Sequence, residues 1–340
     1  MRSSGDGFLW PNLAIVPAGD VTSLLWGAAP YIHSPSIRYL SGGQAWVSTS
    51  EVQTSLGKFV EVVVLRLKEY GINDTPLQEE WSRLGALDQD EVTFCEAAAR
   101  LGLDPFSEGL DHADAITTAF ERLDPELHAD FFDAVPSEAI DDVLAWILES
   151  LSLTGGVKQA LNPQFGLDLV SSVVRKQTRA LDEAPPWVIG HDTAHVVRQE
   201  LGLSPVDRMR DDIPVRTQVR PSYVPSLAGV GATLSNADWT SLVARASTPE
   251  AQRFAAARAL WHAAATDTPS LYLLTSSNST NQQIGRAFAA ELLAPAEGIR
   301  QLLDLDGSQP TEGDLGRAAK HFGASDWVIG HQVENQLAYG

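Results

Sequence analysis

The stretch R-F-A-A-A-R-A-L-W-H, residues 253–262, lies inside the strongest helix signal of the chain. Just upstream, Ser247 or Thr248 can cap the helix, Pro249 suits its first turn, and Glu250 can complete a capping box. One apolar stripe then follows with helical spacing: Phe254, Ala257, Trp261 and Ala264. This pattern predicts a helix that buries one face against a core.

The same ten residues have the spacing of a zinc-binding His-Glu-x-x-His helix, but most of its chemistry is missing. Arg258 stands at the first histidine position, Ala259 at the glutamate position, and only His262 is retained. A zinc ligand must offer a lone pair, and a guanidinium group has none. Alanine cannot act as a general base. The sequence therefore predicts that the helix keeps the spacing of a zinc site but lacks the catalytic residues.

A second stretch agrees with this interpretation: N-Q-Q-I-G-R-A-F-A-A-E-L-L-A-P, residues 281–295. Together the two stretches resemble the signatures of the ImmA/IrrE metallopeptidases, R-F-x-x-A-H-E-L-G-H and E-x-x-A-N-x-F-A-A-E-L-L-M-P. The likeness covers roughly residues 220–340 and includes K-H-F-G-A-S-D-W-V-I-G-H-Q near the C-terminus. It implies a C-terminal zincin-like domain. In the family the leading glutamate of the second signature is the third zinc ligand, and here that position is Gln282.

The resemblance implies a function as well as a fold. Members of the family are soluble zincins that cleave or inactivate repressors of mobile elements and stress genes. Because the departures fall on Arg258, Ala259 and Gln282, the expectation is a degenerate member without a cofactor, acting as a regulatory or protein-binding module. Its expected partner is a protein, such as a repressor or a basic protein. The alternative is an active zinc metallo-endopeptidase with an atypical metal site.

Such an atypical site has one candidate in the sequence. The segment G-H-D-T-A-H, residues 190–195, places His191 and His195 four residues apart, with Asp192 beside the first. An aspartate is one methylene shorter than the usual glutamate, so it reaches a metal-bound water less easily. No third ligand follows in a suitable motif. A pair of histidines facing solvent, or a combination that includes His262, are the other interpretations.

Charge and cysteine content limit the classes of function. The chain has 340 residues and a formal charge of −20. Residues 88–149 contribute seventeen acidic against two basic side chains, which predicts a solvated helical face or a surface for a basic partner. The negative electrostatic field of such a protein repels phosphate groups, which argues against direct nucleic-acid binding. The single cysteine, Cys95, fits a reducing compartment, and no apolar run is long enough to span a membrane, so a cytoplasmic protein is expected.

Periodicity along the chain predicts a mostly α protein with small β elements, an α+β fold. Three regions are expected: a β-hairpin and helix region over 1–85, an acidic helical region over 86–182, and the ImmA/IrrE-like domain over 183–340. The hairpin is placed around Gly42 and Gly43, with Ile37 and Tyr39 on its first arm. A helix is expected from Glu51 to a stop at Gly71.

Overall fold

The structure is a computed structural model that describes residues 12–18, 21–27, 41–107, 112–154, 165–181, 184–221, 226–234, 238–266, 269–304 and 310–337. It is mostly helical with two small sheets, which confirms the α+β class. The strands are β1 (Leu13–Ala18), β2 (Val21–Trp26), β3 (Gly43–Ser48), β4 (Val215–Val219), β5 (Leu227–Thr233), β6 (Thr240–Ala244) and β7 (Ser270–Thr275). In the described part of the chain, no helix is long and apolar enough to cross a membrane.

Several of the helices lie in the region over 86–182, which was predicted to be helical. In chain order, the helices are α1 (Thr49–Glu69), α2 (Pro76–Ala86), α3 (Gln89–Arg100), α4 (Ala113–Arg122), α5 (Pro125–Ala134), α6 (Ile140–Thr154), α7 (Leu167–Ala180), α8 (Pro186–Glu200), α9 (Pro249–Ala265), α10 (Thr280–Leu293), α11 (Ala296–Leu303), α12 (Glu312–Phe322) and α13 (Asp326–Gln332). A short 3₁₀ helix precedes α6, and a π-helical turn, Val333–Leu337, continues α13.

The chain divides into two compact units, of which the first spans residues 1–93 together with 278–280. Its sheet is antiparallel throughout, in the order β1-β2-β3. The expected strand after Gly42 is present as β3, but it pairs with β2; the other predicted arm, at Ile37 and Tyr39, lies outside the described residues. The predicted helix is α1, and Gly71 follows its end with a φ of +73°, a conformation that favours glycine.

The second unit is built on the four-stranded sheet, whose order is β4-β6-β5-β7. Strands β4 and β6 are parallel, whereas β5 is antiparallel to both of its neighbours. Side chains alternate across this sheet because successive residues of a strand point to opposite faces. Leu242 and Leu274 join a core with α7, α8 and α9, while Val243 and Leu273 join a core with α4, α5 and α6. Helices therefore cover both faces.

Helix α9 lies in the middle of the first of these cores. Thr248 is its cap and accepts a hydrogen bond from the backbone N–H of Ala251, so of the two predicted capping residues it is the one used. The predicted single apolar stripe is wrong, because every residue from Ala255 to Ala264 is buried. A helix buried on all sides needs small residues to let its neighbours approach, and the alanines of α9 provide them.

The pentapeptide W-V-I-G-H occurs twice, and its two glycines have opposite surroundings. A Cβ on Gly190, in α8, would lie 2.6 Å from the carbonyl oxygen of Ile284 and 2.8 Å from the backbone nitrogen of Phe288. Helix α8 therefore contacts the backbone of α10 at this point. A Cβ on Gly330, in α13, would meet nothing within 4 Å.

We expect Gly190→Ala to destabilise the protein by about 1–3 kcal/mol, since the added methyl group forces α8 away from α10. Gly330→Ala is the matched control, and it should stabilise by about 0.5–1 kcal/mol through helix propensity alone. Urea unfolding of the two variants measures both effects. Equal shifts in the same direction would show that α8 and α10 are not in backbone contact.

Candidate functional site

The four positions singled out by the zinc-helix pattern lie on two neighbouring helices. Arg258 and His262 are on α9, and Gln282 is in the first turn of α10. One guanidinium nitrogen of Arg258 (Nη2) donates to the side-chain oxygen of Gln282 at 2.5 Å and to the carbonyl oxygen of Thr275 at 2.6 Å. Two residues that the two sequence signatures single out separately are thus hydrogen-bonded to each other. Ala259 is fully buried.

Gln282 is itself fully buried and uses both ends of its amide. Its oxygen also accepts from the backbone N–H of Thr275 at 3.0 Å. Its nitrogen donates to the carbonyl oxygen of Leu273 at 2.7 Å and to the Asp130 carboxylate at 2.8 Å. Gln282 therefore joins α9, the end of β7 and α5 through one side chain.

The electrostatics of the site follow from the burial of a fixed positive charge. Burial, followed by the positive charge of Arg286, lowers the pKa of Arg258 to about 9, and the Asp130 carboxylate opposes this shift. This value still leaves the guanidinium protonated at neutral pH. Arg286 is partly buried and donates to the carbonyl oxygen of Ser277 at 2.8 Å, so a second cation stands beside the first.

His262 is buried and packs face to face on Tyr272, with ring centroids 5.6 Å apart and an angle of 12° between the ring planes. Tyr272 in turn shares a 2.7 Å hydrogen bond with the hydroxyl group of Thr240. Burial, with smaller effects from Arg258 and Arg286, lowers the pKa of His262 to about 3. Its imidazole is therefore neutral at physiological pH.

Two glycines, which have no side chain, leave room for the rings of Tyr272 and His262. A Cβ on Gly231 would lie 2.2 Å from the Tyr272 ring, and a Cβ on Gly285 would lie 3.2 Å from His262 Nε2. Gly231, in β5, thus belongs to the packing around Tyr272, which lies in the neighbouring strand β7. Residues on both sides of His262 fix its ring in place.

The donor set at this site does not suit a zinc ion. Zinc requires three or four ligands with free lone pairs, and its catalytic sites add a water to them. Arg258 offers no lone pair and would repel the cation, while both ends of the Gln282 amide are already hydrogen-bonded. His262 alone remains, with an Nε2 atom that lacks a hydrogen-bond partner within the described residues. The arrangement is a hydrogen-bonded centre around a buried guanidinium.

The alternative metal residues on α8 are not brought together. His191 is partly buried and faces α10 and the C-terminal turn, where its Nε2 lies 3.4 Å from Nε2 of Gln336. Burial lowers the pKa of His191, although Glu291 and Asp192 raise it. His195 is exposed and accepts a 2.8 Å hydrogen bond from the Gln199 amide, and Asp192 is also exposed. Across the described ranges, no group of three His, Cys, Asp or Glu residues could hold a metal ion.

Several residues of the site were not identified from the sequence. Asp130 is one of many acids between 88 and 149, and their abundance hides its individual role. Thr275 contributes mainly backbone atoms, which carry no sequence signal. Glu291 is buried and accepts hydrogen bonds from Gln332 at 2.7 Å and from the backbone of Ala296 at 3.2 Å. The only indication of this network in the sequence is that Glu291 is a charged residue between two apolar stretches of α10.

Comparisons with known proteins find no relative. No family model matches the chain, and neither a curated protein nor a solved structure matches it.

Arg258→Ala should destabilise the protein by about 1–3 kcal/mol, because the Gln282 and Thr275 oxygens lose a buried donor. Arg317→Ala is a suitable control, since that side chain is exposed and pairs only with Asp314. Chemical denaturation provides the measurement. An unfolding midpoint of Arg258→Ala equal to that of the control would place the guanidinium in solvent.

His262 gives a prediction for pH. Its pKa is about 3 in the folded chain and 6.5 for an ordinary histidine, so between these values the unfolded chain binds one more proton. Stability is therefore lost as pH falls from 6.5 towards 3, by up to about 1.4 kcal/mol per pH unit.

His262→Leu removes this proton-binding difference. We expect the stability lost between pH 7 and pH 4.5 to be smaller in His262→Leu than in the parent chain by about 2 kcal/mol. His195→Gln, which removes an exposed histidine, controls for the loss of a titratable side chain. Parallel stability profiles for His262→Leu and the parent would mean that the ring protonates equally well in both states.

Proposed function

We propose that residues 183–340 form a zincin-like domain of the ImmA/IrrE type in which the metal centre has been replaced by the Arg258–Gln282 hydrogen bond. The protein then acts as a non-catalytic, regulatory or protein-binding module. One observation carries the proposal: the buried guanidinium group of Arg258, at one ligand position of the family pattern, donates a hydrogen bond to Gln282, at another. A positive charge is retained where the family holds a cation.

The placement of the two signature stretches supports the proposal. They lie on α9 and α10, consecutive helices separated by strand β7, and the positions that correspond to ligands face each other. The residues shared with the family's second signature are mostly core residues: Phe288, Ala289, Leu292 and Leu293 are buried. A core that has the apolar residues of the signature without its metal ligands is what the proposal expects of a domain used for binding.

The acidic helices indicate the kind of partner. Some of their carboxylates serve the chain itself, because Glu126 accepts from the backbone of Leu271 and Glu149 pairs with Arg220. The remaining acids are largely exposed, and we propose that they meet a basic protein, such as a repressor. The single cysteine fits a cytoplasmic location for such an encounter.

Elemental analysis of the purified protein tests the proposal, and the expected result is no stoichiometric zinc. The triple variant Arg258→His, Ala259→Glu, Gln282→Glu should regain one zinc ion, because it supplies three ligands and a general base. Gln282→Glu also brings a carboxylate next to Asp130, and this repulsion should make the metal-free triple variant unstable. Added zinc should then raise its unfolding temperature.

Adding His262→Leu to the triple variant provides the matched control, since it deletes the remaining ligand and should abolish the zinc response. One zinc per chain in the unmodified protein would contradict the degenerate-site proposal. A triple variant that binds no zinc would show that these side chains do not converge on one point.

A further inference from the structure

Arg258 also lines a cavity of about 320 Å³. The walls come from the start of β5, the end of β6, the N-terminal half of α9 and the start of α13; they include Arg245, Phe254, Trp327 and Val328. The volume lies within the range of small-ligand sites, about 300–1,000 Å³. It is sufficient for one aromatic side chain and an attached polar group.

The charge of this cavity is opposite to that of the chain. Among the residues that the structure describes, two arginines and no carboxylate line it, in a protein with a formal charge of −20. Arg258 Nε is buried and has no hydrogen-bond partner among the described residues. The carboxylate that acts on Arg258 is Asp130, which is bonded to the opposite end of the Gln282 amide and does not line the cavity.

Arg245 provides the second positive charge. It is half-buried, and within the described ranges the structure shows no hydrogen bond or ion pair from its side chain. Elsewhere in this unit, arginines such as Arg253 and Arg300 are paired with carboxylates. Its guanidinium nitrogens are not among the fully buried polar atoms that lack a partner, so they are open to solvent, and an anionic ligand that enters the cavity can pair with them.

The remaining wall is apolar and aromatic. Phe254 and Val328 form part of it, and Trp327 stands at 60% exposure with its ring against His331, at a centroid distance of 4.2 Å. An exposed tryptophan beside a positively charged cavity gives a ligand both a surface to pack on and a charge to pair with. A strongly hydrated dianion such as phosphate does not suit walls of this kind.

We propose that this cavity binds a carboxylate attached to an apolar group, of about the size of an aromatic amino acid. The carboxylate pairs with the guanidinium of Arg245 and lies near that of Arg258, and the apolar group packs on Phe254 and Trp327. Arginine suits this task because its planar fork can hold both oxygens of a carboxylate. The inference rests on the proposed function in one respect, namely that Arg258 is a permanent cation and not part of a metal site.

Calorimetric titration of the full chain with N-acetyl-phenylalanine tests this inference, because that molecule mimics the last residue of a peptide. The corresponding amide lacks the carboxylate and should not bind. 3-Phenylpropionate tests a free small acid as the source of the same chemistry, and inorganic phosphate tests a general anion site. Binding of either carboxylate, without binding of the amide or of phosphate, is the expected result.

Two variants locate the binding in this cavity. Arg245→Gln should weaken carboxylate binding by about tenfold or more, as expected for the loss of a charge-assisted hydrogen bond. Arg317→Gln changes the net charge equally at an exposed site away from the cavity and should leave the affinity unchanged. Trp327→Ala should also weaken binding, through the apolar group.

Three outcomes would overturn the inference: no carboxylate binds, the amide or phosphate binds as well as the acid, or Arg245→Gln behaves like Arg317→Gln. Each is independent of the zinc measurement. A protein that contains zinc contradicts the proposed function even if the cavity binds acids. A zinc-free protein that binds no acid contradicts only the inference about the cavity.

Discussion

The hydrogen bond between Arg258 and Gln282 is the constraint on which the rest of the site depends. A guanidinium group that is removed from water must have its donors satisfied, and here a glutamine side chain and the Thr275 carbonyl provide acceptors. Gln282 extends this network of hydrogen bonds, because its amide nitrogen donates to a backbone carbonyl of β7 and to Asp130 on α5. Four elements, α5, α9, α10 and β7, are held at one point by these side chains.

This centre requires close packing around it. Helix α9 is buried on all sides, so its neighbours must approach without bulky side chains between them. Gly190 lets α8 reach the backbone of α10, and Gly231 leaves room for Tyr272, which supports His262. A site of this density has little freedom to change one side chain alone, since core packing penalises both cavities and added volume.

The sequence predicted the local structure best where a strong local signal exists. The stop at Gly71 and the helix after Pro249 follow from backbone preferences that act over a few residues. Pro295 separates α10 from α11, and α10 ends at Leu293, before the residue that precedes this proline. Strand β7 was not anticipated, since a short apolar run such as 270–275 has no periodicity that distinguishes a strand from a helix.

The site was predictable only in part, for a different reason. The four-residue spacing on one helix predicts that Arg258 and His262 lie on the same side. The second signature identifies Gln282 as a further residue of the site. The contributions of Asp130, Tyr272 and the Thr275 backbone depend on pairings over long sequence separations, between β7 and α5 or between β7 and α9. The residues next to them in the sequence give no sign of these contacts. The packing of α4, α5 and α6 against the sheet could not be predicted for the same reason.

A double-mutant cycle between Arg258 and Gln282 tests the central claim most directly. The free energies of unfolding of Arg258→Met, Gln282→Leu and the double variant are compared with that of the parent chain. If the two side chains form the bond described, the double variant should be more stable than the sum of the single effects predicts, by about 0.5–3 kcal/mol. Strict additivity of the two substitutions would mean that the guanidinium and the amide do not interact, and the account of a charge-for-metal replacement would fail.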